Sequence, residues 1–220
     1  MTPEEFQAEV ARLALAVARR HGFALAGGHA LIAHGVVDRP TEDVDLFTDQ
    51  AGGVAAAADL VMSALSQTGL HVQTVGDADD VGGVFDGFEH DLVECEVSNE
   101  HQVVRLQLVR FDRHRQPVMM RIGPVLHLDD VLGTKVAALA TRAAPRDYID
   151  TAAALTRYSR DRLIGLARQA DSGLTDEDFT DAMQRLDRMD DSVFREVYGL
   201  TAAQINEVRH RFAAWPRSAT

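Results

Sequence analysis

Phe23-Ala24-Leu25-Ala26-Gly27-Gly28-His29-Ala30-Leu31 and, a few residues on, Arg39-Pro40-Thr41-Glu42-Asp43-Val44-Asp45-Leu46-Phe47 decide how this chain is read. The four apolar residues at 23–26 read as a short buried strand that ends in a glycine pair, and a helix starts near His29. Val44 to Thr48 alternates as a second strand, on which Asp43 and Asp45 stand two apart and share one face. Two carboxylates held that close repel each other unless a cation sits between them. A hard divalent ion, Mg2+ or Mn2+, takes such oxygen ligands and keeps places open for phosphate oxygens. Gly27 and Gly28 lack Cβ, so their backbone N–H groups can approach a ligand closely, and the start of the following helix suits a phosphate. The unit has the parts needed to hold a metal–nucleoside triphosphate complex.

Outward from this stretch, the chain opens with a helix over about 3–22, started by Thr2, Pro3 and Glu5 as a capping box with proline in the first turn. Phe6, Val10, Leu13, Leu15 and Val17 form its apolar stripe. An Ala-rich helix is expected over about 54–67. The middle turns β-prone, with strands at 72–75, 83–88, 92–97, 103–111 and 118–122. In the strongest of them Arg105, Gln107 and Val109 share one face, and Val104, Leu106 and Leu108 the other. From Leu128 onward the pattern is helical, near 129–142, 145–158, 160–170, 175–188 and 201–214. The expected architecture is mixed α/β: a core over 1–125 with a mixed sheet, then a helical C-terminal subdomain over 126–220.

The composition narrows the function. A chain of 220 residues with 46 % hydrophobic content suffices for one core or two small subdomains. No apolar run approaches the roughly 18 residues of a membrane span, and the acidic start lacks the features of a secretory signal. A single cysteine, Cys95, excludes an internal disulfide, and the histidines show no zinc-type spacing. A soluble cytoplasmic protein is expected. The net charge of −12 argues against a general nucleic-acid binder. It is unevenly spread: residues 1–100 hold 4 basic against 18 acidic residues, and residues 101–220 hold 18 against 16. The second half must then grip any anionic substrate. Its densest basic stretch, Arg105, Arg110, Arg113, Arg115 and Arg121, could contact an RNA backbone or simply balance the acidic half.

Gly27-Gly28-His29-Ala30-Leu31 with Arg39 to Leu46 resembles the signature of the polymerase-β-like nucleotidyltransferase superfamily. More narrowly it resembles the AbiEii/AbiGii-type toxins, which include the MenT-like toxins. Leu128-Asp129-Asp130-Val131-Leu132-Gly133-Thr134-Lys135 is similar to that family's lysine-bearing helix, and Pro145-Arg146-Asp147-Tyr148-Ile149-Asp150 to its following Arg-Asp-x-x-Asp segment. The resemblance implies that Asp43 and Asp45 bind metal, and that Gly27, Gly28, His29 and Thr41 line the nucleotide. It implies that Lys135, the only lysine of the chain, offsets charge on the β- and γ-phosphates. Asp150 is expected in a catalytic role, and Asp147, which shares its helix face, near the nucleotide. The implied reaction transfers NMP from an NTP to an RNA acceptor, the 3′ end of tRNA, which stops translation, and a cognate antitoxin partner restrains it.

One departure stands out. Where many superfamily members carry a third carboxylate on a later strand, this chain has Gln107. A neutral amide is a weak Mg2+ ligand and no general base. Two alternatives stay open: a nucleotidyltransferase acting on an aminoglycoside-like small molecule or a protein hydroxyl, and, because of Gln107, a catalytically weak nucleotide-binding module acting through a partner.

Overall fold

A computed structural model describes residues 1–75 and 91–217; the strand expected at 83–88 lies outside them. The chain divides into two compact units, Met1–Ala33 with Pro40–His127, and His34–Arg39 with Leu128–Thr220.

Among the described residues the first unit is built on a sheet of seven strands. Its elements are α1 (Pro3–Ala18), β1 (Ala24–Leu25), α2 (Gly27–Ala33), β2 (Asp43–Thr48), α3 (Gly53–Ser66), β3 (His71–Thr74), β4 (Leu92–Ser98), β5 (Val103–Arg110), β6 (Val118–Met120) and β7 (Gly123–Val125). The spatial order is β3-β4-β5-β2-β1-β7-β6. β2 runs parallel to β5 and β1 parallel to β7, and the other pairs are antiparallel. Period-two alternation sets the faces. Val44, Leu46, Val104, Leu106, Leu108, Cys95 and Val97 are buried on one side. Their neighbours Asp43, Asp45, Arg105, Gln107, Glu94 and Glu96 form the other. Full burial of each branched side chain contributes about 1.5–3 kcal/mol, so a slip by one residue would cost far more than any single contact on the polar face.

α1 starts as expected: the Thr2 N–H donates to Glu5 Oε2 at 2.8 Å and the Glu5 N–H to Thr2 Oγ1 at 3.2 Å. Its buried stripe, however, is Phe6, Gln7, Val10, Ala11, Ala14, Leu15 and Ala18, with Leu13 and Val17 only half-buried. The alanines thin the face that packs on α3. The run at 118–122 is not one strand. It turns at Arg121-Ile122, and Met120 pairs back with Gly123.

The second unit is helical: α4 (Leu128–Thr141), α5 (Pro145–Ala154), α6 (Arg160–Ala170), α7 (Asp176–Arg188), α8 (Asp191–Tyr198) and α9 (Ala202–Arg211). Side chains of Ser159, Thr175, Asp190 and Thr201 cap α6 to α9 by accepting first-turn N–H groups. α4 and α6 pack closely at Gly133, where a Cβ would lie 2.7 Å from the Leu166 carbonyl oxygen. An aromatic core of Tyr148, Phe212, Trp215 and Phe179 joins α5, α7 and the C-terminal segment, with Tyr148 edge-on to Phe212 at 5.8 Å. The sequence reading did not include α8, and it carried α5 and α9 three or four residues too far.

Candidate functional site

In the first unit one glycine of the pair, Gly27, and one of the paired carboxylates, Asp45, are brought against each other. The Ala26 N–H donates to the Asp45 carbonyl at 2.8 Å, which fixes the end of β1 beside β2. The chain then turns through Gly27 at φ +57°, a conformation that side chains rarely adopt. A Cβ at position 27 would sit on top of Asp45 Oδ2 and 2.6 Å from its Cγ. The Asp45 carboxylate therefore occupies the space that only glycine leaves. Gly27 and Gly28 are buried, and His29, third in α2, is half-buried. Thr41 lies two residues before β2, its carbonyl accepting from Gln7 Nε2 at 2.7 Å. Asp43 and Asp45 are half-buried on the polar face, opposite Arg105 and Gln107 of β5.

The second unit gathers Lys135, Asp150 and Arg39. Asp150 is fully buried, and Arg39 clasps it with two parallel hydrogen bonds, Nε to Oδ1 at 2.7 Å and a terminal nitrogen to Oδ2 at 2.6 Å. Lys135 Nζ lies 3.4 Å from the same Oδ2 and is 12 % exposed. Burial works against the Arg39 charge, but the hydrogen bonds and charge of Asp150 outweigh it and hold the guanidinium pKa above its usual value. One carboxylate thus serves two cations, with the lysine held at the edge of the cluster. Arg39 arrives on the short excursion His34–Arg39, kept in this unit by Arg157, whose guanidinium donates to the His34 and Gly35 carbonyls.

Asp147 is buried one turn before Asp150 and is engaged otherwise. It accepts both hydrogen bonds of the Arg142 fork, at 2.9 and 2.8 Å, and the Ala144 N–H at 3.0 Å. It ties the end of α4 to the start of α5.

Sequence reading singled out neither Arg39 nor Glu94 as a site residue. Arg39 could have been noticed as a basic residue in an otherwise acidic stretch, but its partner is 111 positions away. Glu94 stands directly opposite Gln107 and accepts its amide N–H at 2.8 Å. Of the basic stretch, Arg105 pairs with Glu94 at 3.1 Å, Arg110 with Asp91 and Asp112, and Arg113 with Asp49 at 2.7 Å. Cys95 is buried, and that burial, with the Glu94 charge beside it, pushes its thiol pKa up and away from reactivity.

Among the described residues no group of three or more His, Cys, Asp or Glu is arranged to enclose a metal. The fit is of another kind. Two carboxylates on one strand face, beside a backbone with no Cβ in the way, suit a small hard cation that completes its shell with water and substrate phosphate. Also among the described residues, no helix is long and apolar enough to cross a membrane.

Comparison with known proteins identifies the fold and the family. Solved structures share the fold: JHP933 from Helicobacter pylori at 16 % identity and TM-score 0.58, matched over 94 % of this chain and 88 % of that one. The nucleotidyltransferase toxin MenT4 from Mycobacterium tuberculosis H37Rv matches at 16 % identity and TM-score 0.59, over 94 % and 82 %. No curated protein sequence matches. The family model for the nucleotidyl transferase AbiEii toxin of type IV toxin–antitoxin systems matches residues 11–211, which spans nearly the whole chain and both sets of residues described above. The chain belongs to the AbiEii nucleotidyltransferase toxin family.

Proposed function

We propose that this toxin transfers a nucleoside monophosphate from an NTP to a hydroxyl of an RNA acceptor, the 3′ end of tRNA, in the cytoplasm, until its antitoxin counters it. The observation that carries the reading is the contact of Gly27 with Asp45, which sets a carboxylate suited to a metal ion against a backbone suited to a phosphate.

Asp43 and Asp45 would hold Mg2+ or Mn2+, which when bound neutralises phosphate charge and polarises the α-phosphate. Gly27, Gly28, His29 and Thr41 position the triphosphate. The acceptor oxygen forms a bond to the α-phosphorus as its hydroxyl proton passes to water and the bond to pyrophosphate breaks, in line on the opposite side. Lys135 offsets the charge that builds on the leaving pyrophosphate. Asp150 and Arg39 keep that ammonium in place, and Asp147 keeps Asp150's helix at its angle. Toxicity follows if the modified tRNA can no longer be aminoacylated.

One observation favours a second reading, in which the acceptor is a small molecule or a protein hydroxyl. Arg105, Arg110 and Arg113 are each paired with acids of this chain, which reduces their attraction for an RNA backbone. A single experiment separates the readings. The protein is incubated with bulk tRNA, Mg2+ and each labelled NTP in turn, beside an Asp43→Ala control. Label entering tRNA and falling at least ~10²-fold in the control supports the proposal. Label confined to small molecules or protein supports the second reading. Nucleotide binding with no transfer at all would leave a binding module and refute both.

A further inference from the structure

We infer that Glu94 is a positioning residue for Gln107, turning the amide so that its carbonyl oxygen serves as a neutral third ligand beside Asp43 and Asp45; this rests on the two-carboxylate metal site proposed above. Asp45, Gln107 and Glu94 lie in one row across β2, β5 and β4, paired in register on the polar face of the sheet. Gln107 Nε2 donates to Glu94 Oε2 at 2.8 Å. An ionised carboxylate has no proton to give, so only the NH2 end of the amide can face it. The amide is planar, with oxygen and nitrogen on opposite sides of Cδ. With the nitrogen fixed toward β4, the oxygen is turned away from Glu94, and the register puts Asp45 on the strand at the other side.

The second oxygen of Glu94 is also occupied. Arg105, two residues before Gln107 and on the same face, brings Nε to 3.1 Å from Glu94 Oε1. Glu94 therefore holds a hydrogen bond on one oxygen and an ion pair on the other, and acts as an acceptor that fixes its neighbour. Hard cations take amide carbonyl oxygens as well as carboxylates. Gln107 cannot accept the acceptor hydroxyl's proton, but it can complete a three-oxygen face without adding a third negative charge. Outer partners of this kind commonly set the affinity of a metal site.

The test is Mn2+ binding by the full chain without nucleotide, read from the spin-resonance signal of the free ion, with metal-free melting as the folding control. Glu94→Gln and Gln107→Leu are each expected to weaken Mn2+ binding about tenfold, the lower end for loss of an outer partner. The double variant should bind no more weakly than Gln107→Leu alone. Glu94→Asp keeps the charge but withdraws the carboxylate by one methylene, and should behave like Glu94→Gln.

Other outcomes overturn the inference. A Glu94→Gln effect that persists in the Gln107→Leu background would mean that the charge acts through space. Full affinity in Glu94→Asp would mean the same. Unchanged affinity in Glu94→Gln, with Asp45→Asn losing it, removes Glu94 from the role and leaves the two-carboxylate site standing. Unchanged affinity in Asp45→Asn removes both.

Discussion

Asp150 and Lys135 sit in one cluster yet should respond differently to mutation. Asp150 is wholly buried with a bidentate guanidinium on it, so its removal takes away the carboxylate that Arg39 and Lys135 share. Breaking a buried pair in this way costs about 3–5 kcal/mol. Asp150→Ala is expected to lower the denaturation midpoint sharply, as measured by chemical unfolding. Lys135 is at the margin, 3.4 Å from its partner, and Asp150 keeps Arg39 when it goes. Lys135→Met should melt near the wild type while nucleotidyl transfer is lost. Equal destabilisation of the two variants would argue that Lys135 is structural. At this scale the sequence showed which residue types matter but not what they touch. Asp43, Asp45, Gly27 and Lys135 stood out by spacing or rarity. The Arg39–Asp150 clasp spans 111 positions and no local pattern announces it.

Among the elements, two glycines on neighbouring helices make a controlled pair. A Cβ at Gly133 would press on the backbone carbonyl of Leu166, whereas a Cβ at Gly165 meets nothing within 4 Å. Both lie inside helices, where alanine is favoured over glycine by about 0.5–1 kcal/mol. Gly165→Ala should therefore stabilise by about that amount, and Gly133→Ala should destabilise by about 1–3 kcal/mol as α4 and α6 are forced apart. Thermal melting of the two variants against the wild type checks both signs. Caps and alternation made most elements legible, as at Thr2. The β6–β7 hairpin was missed because its turn, Arg121-Ile122, lacks the usual turn residues. α8 was missed although Asp190 and Gly199 bracket it, because eight residues show too little periodicity.

For the molecule as a whole, the mixed α/β class and the helical second half followed from pattern, but the sheet order did not. The parallel pairing of β2 with β5 is a long-range choice made by burial on one face, and it alone decides that Gln107 stands beside Asp45. The short excursion His34–Arg39 into the helical unit was equally invisible. The stability of the folded chain also has an alkaline limit that one buried phenol should set. Tyr148 donates to the Ala182 carbonyl at 2.6 Å, and burial pushes its pKa from 10.0 up to about 12. A pKa raised on folding gives stability that is complete below pH 10 and lost as pH rises toward 12. The amount is up to about 2–3 kcal/mol. Unfolding free energies measured across that window should fall for the wild type. In Tyr148→Phe this phenol's share of the fall should be absent, from a starting point about 1 kcal/mol lower for the lost hydrogen bond.

The crowding of Gly27 against Asp45 also has a genetic reading. Every substitution at codon 27 adds a Cβ where Asp45 Oδ2 already lies, on a backbone at φ +57°. The codon has no tolerated alternative, yet it encodes a turn and not a core side chain. Bacteria selected for surviving this toxin without its antitoxin should therefore accumulate missense changes at codon 27 of many kinds, from full-length and folded product. At codon 165, a helical glycine with no positive φ and nothing near its missing Cβ, such escape alleles should be rare. Deep sequencing of survivors would show the two glycines as opposite extremes of one mutational spectrum.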